Sequence, residues 1–185
     1  MSIGVLHQGQ VVFKHNFGVL NIETGQNPDS DTLYCIASFS KAFIAASLNL
    51  LVQDGKFSWD TTINSVIPEI KHWEKTSLFS DTKLRDICSH RTGLLSLDEI
   101  TQGLDSRILI LKKDLVQVCN ALPIKYDLRT SFLYNNALFA LAGGNVERVS
   151  NPSNWGNFLH DRIFQPLDMS RSTAFRACYA VHDSH

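Results

Sequence analysis

A chain of 185 residues can bury the core of one domain, and its 44% hydrophobic and 19% charged content is that of a globular protein. A formal net charge of −1, with the basic residues scattered, excludes the footprint of a nucleic-acid binder or of an anionic membrane surface. No apolar run approaches the roughly 20 residues that a membrane helix needs.

The N-terminus lacks a basic start followed by an apolar core, so a cytosolic chain is expected. Ser2–His7 and Gln10–Phe17 alternate apolar and polar residues around Gln8-Gly9, the pattern of a β-hairpin. Thr32–Ile36 is a short β-prone run and reads as a third strand. From Phe39 to Asp54 the pattern is helical and apolar nearly all round, with Gly55 placed to end it, which predicts a helix in the middle of the domain. Thr82–His90 reads as a short helix capped by Thr82 and ended at Thr92-Gly93. Further helices are expected over Ile108–Asn120, Ser131–Val149 and Asn154–Phe164. The layout is strands and then helices, with no later strands to cover the hairpin, and a two-stranded sheet is marginal by itself.

Four cysteines, Cys35, Cys88, Cys119 and Cys178, form no C-x-x-C pair and read as reduced, mostly buried thiols. Cys88, His90, His182 and His185 match no zinc-ligand spacing, so neither metal nor cofactor is expected.

Ser38-Phe39-Ser40-Lys41 is an S-x-x-K tetrad at the head of the apolar helix. Residues three apart on a helix share a face, so the hydroxyl and the amine can meet. A lysine can take the serine proton only where burial or positive neighbours lower its pKa, and an apolar helix offers that setting. A second tetrad, Ser80-Asp81-Thr82-Lys83, lies in a polar segment and reads as a solvated helix start. Tyr134-Asn135-Asn136 is the one Y-x-N of the chain. Its tyrosine can share proton transfer with a lysine and its last asparagine can bind a substrate amide, although on spacing alone a packed helix start fits Tyr134 as well.

Together these residues resemble a known family. The run Thr32–Phe43 is similar to the nucleophile segment of the class C β-lactamase and penicillin-binding-protein-like serine hydrolases. Asp54–Phe57, Leu84–Leu94, Phe132–Asn136 and Phe164–Met169 agree in the same order. The resemblance implies an α+β, β-lactamase/transpeptidase-like fold in a single incomplete domain. Residues 1–36 would give a sheet hairpin and strand, 37–170 the helical region, and 171–185 the start of a C-terminal part whose sheet strands are missing.

The same resemblance implies an acyl-enzyme on Ser38, with Lys41 and Tyr134 as proton-transfer partners and Asn136 touching the substrate. The reaction would be hydrolysis or acyl transfer on an ester, amide or lactone of a small molecule, in secondary-metabolite biosynthesis by analogy. The family's third motif, a Lys or His followed by Thr/Ser and Gly, is not found after Asn136. Arg91-Thr92-Gly93 carries its letters but lies before Y-x-N and reads as a turn, with His90 a structural part of that turn. The alternative expectation is therefore an inactive remnant, with an unpaired sheet edge through which copies would associate.

Overall fold

The computed structural model describes residues 1–71, 81–98, 109–150 and 154–174. Strands β1 (Ser2–His7) and β2 (Gln10–Asn16) pair antiparallel, from Ser2 opposite Asn16 to His7 opposite Gln10. Gln8 at φ 49° and Gly9 at φ 79° make the two-residue turn, whose positive angles match the strand twist. A register shift between Val5 and Leu6 marks a bulge. All of β1 is exposed, as is β2 up to His15, so Val5 and Phe13 face solvent.

Thr32–Ile36 forms no strand, contrary to its composition. A strand needs a neighbour's open backbone, and this run meets the hairpin through a side chain instead, Tyr34 Oη lying 3.0 Å from Ser2 Oγ.

Helix α1 spans Ser40–Gln53, preceded by a 3₁₀ turn at Ala37–Phe39. It ends as the glycine predicts: Gly55 sits at φ 70° and donates to Val52, while Lys56 donates to Leu51. Only Ser47, Leu48 and Leu51 of α1 are fully buried, and Ala42, Ala46 and Asn49 are exposed. An apolar surface all round does not therefore make α1 central. One face packs, and the opposite face is exposed among the described residues.

Short helices α2 (Ile63–Val66) and α3 (Leu84–Cys88) follow. Thr82 does not cap α3. An isolated bridge between Thr62 and Lys83 keeps this segment extended, and the Lys83 N–H donates to Asp86 Oδ2 at 2.9 Å, so Lys83 takes the cap position. The predicted helix over Ile108–Asn120 is α4 (Leu115–Ala121) behind a 3₁₀ turn at Lys112–Asp114, with Ile108 outside the described residues. Helix α5 (Asn136–Val149) starts five residues later than its pattern suggests, because the Leu133 N–H is committed to the His90 carbonyl at 2.7 Å. Helix α6 (Trp155–Leu159) is capped by Asn154, whose Oδ1 accepts from the Asn157 N–H at 2.9 Å, and continues as a π-turn over His160–Phe164.

The core gathers around α5. Leu138, Leu141, Ala142 and Val146 meet Leu48 and Leu51 of α1, Ile63 of α2, Leu84 and Ile87 of α3, and Cys119 of α4. Each buried Leu or Ile contributes roughly 1.5–3 kcal/mol by leaving water. Gly143 lets α1 approach closely, since a Cβ there would stand 3.3 Å from Ile44 Cδ1. The architecture is thus a helical body with a hairpin appended, an α+β arrangement of the β-lactamase/transpeptidase type.

Candidate active site

Two structures bring the site together: the entry to α1 and the entry to α5. Ser38 lies in the 3₁₀ turn, behind Ala37 at φ 44°. A left-handed alanine costs about 1–2 kcal/mol, so the chain carries strain immediately before this serine. Lys41 follows one turn later in α1, its Nζ 3.1 Å from Ser38 Oγ.

From the other side, Tyr134 Oη donates to Ser38 Oγ at 2.8 Å across 96 positions of sequence. The first residue of α5, Asn136, accepts from Lys41 Nζ through Oδ1 at 2.6 Å and donates through Nδ2 to Asp98 Oδ2 at 2.9 Å. Ser38, Lys41, Tyr134 and Asn136 therefore form one connected network. Ser38 is exposed to solvent while Lys41 and Asn136 are half-buried.

Lys41 Nζ also sits 4.7 Å from the Tyr134 ring centroid and 5.7 Å from that of Phe139. Burial alone would raise the Tyr134 pKa. Hydrogen bonds with Lys41 and Ser38 and the charge of Lys41 outweigh burial and hold the phenol below its ordinary value of 10.0, with Asp98 opposing them.

The phenol is placed by a clasp between two loops. Leu94 bridges Ile124, the N–H groups of Lys125 and Tyr126 donate to the Gly93 carbonyl, and the Arg129 N–H donates to Arg91. Arg129 grips the buried Asp86 with two bonds, Nε at 2.8 Å and Nη2 at 2.7 Å. Between Tyr134 and Asn136, the buried Asn135 donates through Nδ2 to the carbonyls of Leu94 and Leu95 and caps α5 by accepting from Leu138.

Two members of this arrangement escape sequence reasoning. Asp98 lies in no motif, and a lone carboxylate gives no signal of reaching a residue 38 positions away. His90 belongs to the turn as its position suggests, at φ 57°, but its ring also lies against Tyr134 with centroids 4.4 Å apart.

Of the second tetrad, Ser80 lies outside the described residues, and Lys83 Nζ bonds Asp60 at 3.0 Å. Gly93 at φ 79° confirms Arg91-Thr92-Gly93 as a turn. Burial pushes the thiols of Cys88 and Cys119 up to about 12, Cys35 is exposed, and Cys178 lies outside the described residues with His182 and His185. Among the described residues no helix is long and apolar enough to cross a membrane.

A serine hydroxyl flanked by a lysine amine and a phenol, on this helical body, defines the class of β-lactamase/transpeptidase-like proteins. The Beta-lactamase family model matches residues 1–179, and the chain belongs to that family, one of serine hydrolases. Among curated proteins it is 26% identical to the unguisins hydrolase ungD of Aspergillus violaceofuscus, over 93% of this chain and 31% of that protein. It is 27% identical to Gigasin-6 of Magallana gigas, over 94% of this chain and 57% of the relative. Among solved structures, the octameric penicillin-binding protein homologue of Pyrococcus abyssi superposes at TM-score 0.80 with 23% identity, over 91% of this chain and 39% of that one. The D-amino acid amidase of Ochrobactrum anthropi, complexed with L-phenylalanine, superposes at TM-score 0.73 with 24% identity, over 90% and 44% of the two chains. The chain thus spans between about a third and just over half of the length of these proteins.

Proposed function

We propose that this protein carries the nucleophilic half of an acyl-transfer site. Ser38 attacks an ester, amide or lactone carbonyl, Lys41 and Tyr134 move the proton, and Asn136 orients the group next to the reacting bond. The observation that carries this reading is the convergence of Lys41 and Tyr134 on one oxygen, Ser38 Oγ, at 3.1 and 2.8 Å.

With both neighbours donating, the hydroxyl rests as an acceptor. Attack requires one of them to lose its proton and receive the one from Ser38. The phenol suits that role, since its anion would be balanced by the ammonium 4.7 Å from its ring and its pKa already lies below the ordinary value. As the amine of a leaving group departs, the same phenol can return the proton. The acyl group then passes from Ser38 to water or to an acceptor alcohol or amine.

Phe39, 80% exposed beside the nucleophile, favours a small molecule with an apolar acyl part. The unguisins hydrolases among the relatives favour a secondary metabolite as substrate.

A fluorophosphonate probe read by intact mass tests the assignment. One adduct per chain is expected, lost in Ser38→Ala and slowed about 10²-fold or more in Tyr134→Phe and Lys41→Ala. Adducts that persist in Ser38→Ala would end the proposal.

A second reading is a non-catalytic relative that keeps the helical body. It is favoured by the uncovered hairpin, whose Val5, Val11 and Phe13 lie exposed. This reading expects no adduct, and association of copies through the free strand edges. Association is the behaviour of the octameric Pyrococcus homologue, and size-exclusion chromatography reads it directly.

A further inference from the structure

His90 is a buried polar group beside the site that the proposed mechanism leaves unused. The residue is only 8% exposed, and its ring is flanked by three aromatic rings: Tyr134 at 4.4 Å, Phe139 at 5.2 Å and Phe132 at 5.5 Å between centroids. Its Nδ1 accepts the Asn135 N–H at 3.2 Å, and its own carbonyl accepts the Leu133 N–H at 2.7 Å. One residue thus ties down the backbone on both sides of Tyr134 while its ring supports the phenol ring. The backbone at His90 takes φ 57°, a left-handed angle that histidine, like asparagine, adopts more readily than most residues other than glycine.

We propose that His90 is a positioning residue of the acyl-transfer site, whose neutral ring accepts the Asn135 N–H and backs the Tyr134 ring so that the phenol stays on Ser38. The inference rests on the acyl-transfer reading above.

The tautomer follows from the bond: Nδ1 accepts, so the proton is on Nε2. A protonated ring would turn an N–H toward the Asn135 N–H and break that tie. It would also add a cation next to Lys41, the charged group acting on this ring, while Tyr134 is the titratable group stacked against it. Burial first, and Lys41 second, hold the imidazole below its ordinary 6.5. The sign is therefore fixed: the neutral, positioning ring is present above this depressed value, and the site disengages as pH falls through it.

The test compares the wild type with His90→Asn and His90→Phe. Asparagine tolerates the left-handed backbone, offers Oδ1 where Nδ1 stood, and does not protonate. Phenylalanine keeps a ring and removes the acceptor. At neutral pH, His90→Asn is expected to acylate Ser38 within about threefold of wild type, and His90→Phe about 10²-fold more slowly, the scale of loss from a misplaced reacting group. Labelling rises with pH in every variant as Tyr134 ionises, and the further inflection at the depressed His90 value is expected in the wild type and lost in His90→Asn, a change that a merely structural histidine would not produce. The lower inflection persisting in His90→Asn, or His90→Phe labelling at the wild-type rate, would overturn the proposal.

A readout independent of chemistry accompanies these rates. With ¹³Cζ-labelled tyrosine, the Tyr134 resonance should shift on Ser38→Ala in the wild-type and His90→Asn backgrounds, and show an inflection with the His90 titration in the wild type alone. If wild type gives no adduct, the acyl-transfer reading fails, and these carbon shifts alone decide whether His90 positions the phenol. Absence of the inflection then refutes it, including where His90→Phe does not fold.

Discussion

Asn135 is the middle letter of a three-residue motif, and its side chain bonds the backbone rather than Ser38 or Lys41. From a position 1% exposed, its side chain makes three hydrogen bonds, to the carbonyls of Leu94 and Leu95 and from the Leu138 N–H. It therefore joins the turn after His90 to the start of α5, between the two residues that reach Ser38 and Lys41. Asn135→Ala removes a helix cap and strands one buried and one half-buried acceptor, at an expected cost of about 2–4 kcal/mol in chemical unfolding. A change below about 0.5 kcal/mol would show that the clasp holds without it. Asn145 poses the opposite case. It is fully buried, and neither amide atom finds a hydrogen-bond partner among the described residues.

At the scale of elements, the clasp depends on Gly93. A Cβ there would lie 2.0 Å from the Tyr126 carbonyl oxygen, and φ is 79°. Backbone does not yield as a flexible side chain does, so Gly93→Ala should destabilise by about 3 kcal/mol. Because the displaced segment leads to Tyr134, Ser38 labelling should fall in the fraction that remains folded, measured by mass against a circular-dichroism melt.

The elements also show what a single sequence can convey. The hairpin, α1 with its glycine stop, and α6 with its Asn154 cap all announce themselves through local chemistry, a two-residue turn or a cap, and each lies close to its expected position. Thr32–Ile36 misleads because strand formation depends on a partner that propensity does not reveal. The start of α5 misleads because a long-range bond from Leu133 to His90 competes with the next helical turn. In the site, the spacing of Ser38 and Lys41 is legible as a helix face, whereas the arrival of Tyr134 from 96 positions away comes from the resemblance alone. Asp98 and the stacking of His90 have no sequence pattern behind them, since both are consequences of the clasp.

Over the whole molecule, stability is unevenly distributed. The buried apolar side chains lie on α1 to α6 and the segments that join and follow them, Ile67, Ile70, Leu94 and Leu122 among them, and β1 and β2 contribute none. Residues with few buried contacts open at little cost, so amides of β1 and β2 should exchange with solvent orders of magnitude faster than those of α1 and α5. Hydrogen exchange read by mass spectrometry is the measurement. Equal protection in hairpin and helices would mean that the strands are covered in solution, by another copy or by further chain.

The separation of Ser38 from the phenol also has a temporal meaning. During synthesis at about 5–20 residues per second, roughly 5–20 s pass between the emergence of the serine and that of the tyrosine 96 positions later. Throughout that interval the nascent chain carries an ordinary alcohol, inert toward the esters and thioesters of the cell. On the acyl-transfer proposal, its reactivity is conferred late, by folding, and is surrendered whenever that fold lets go.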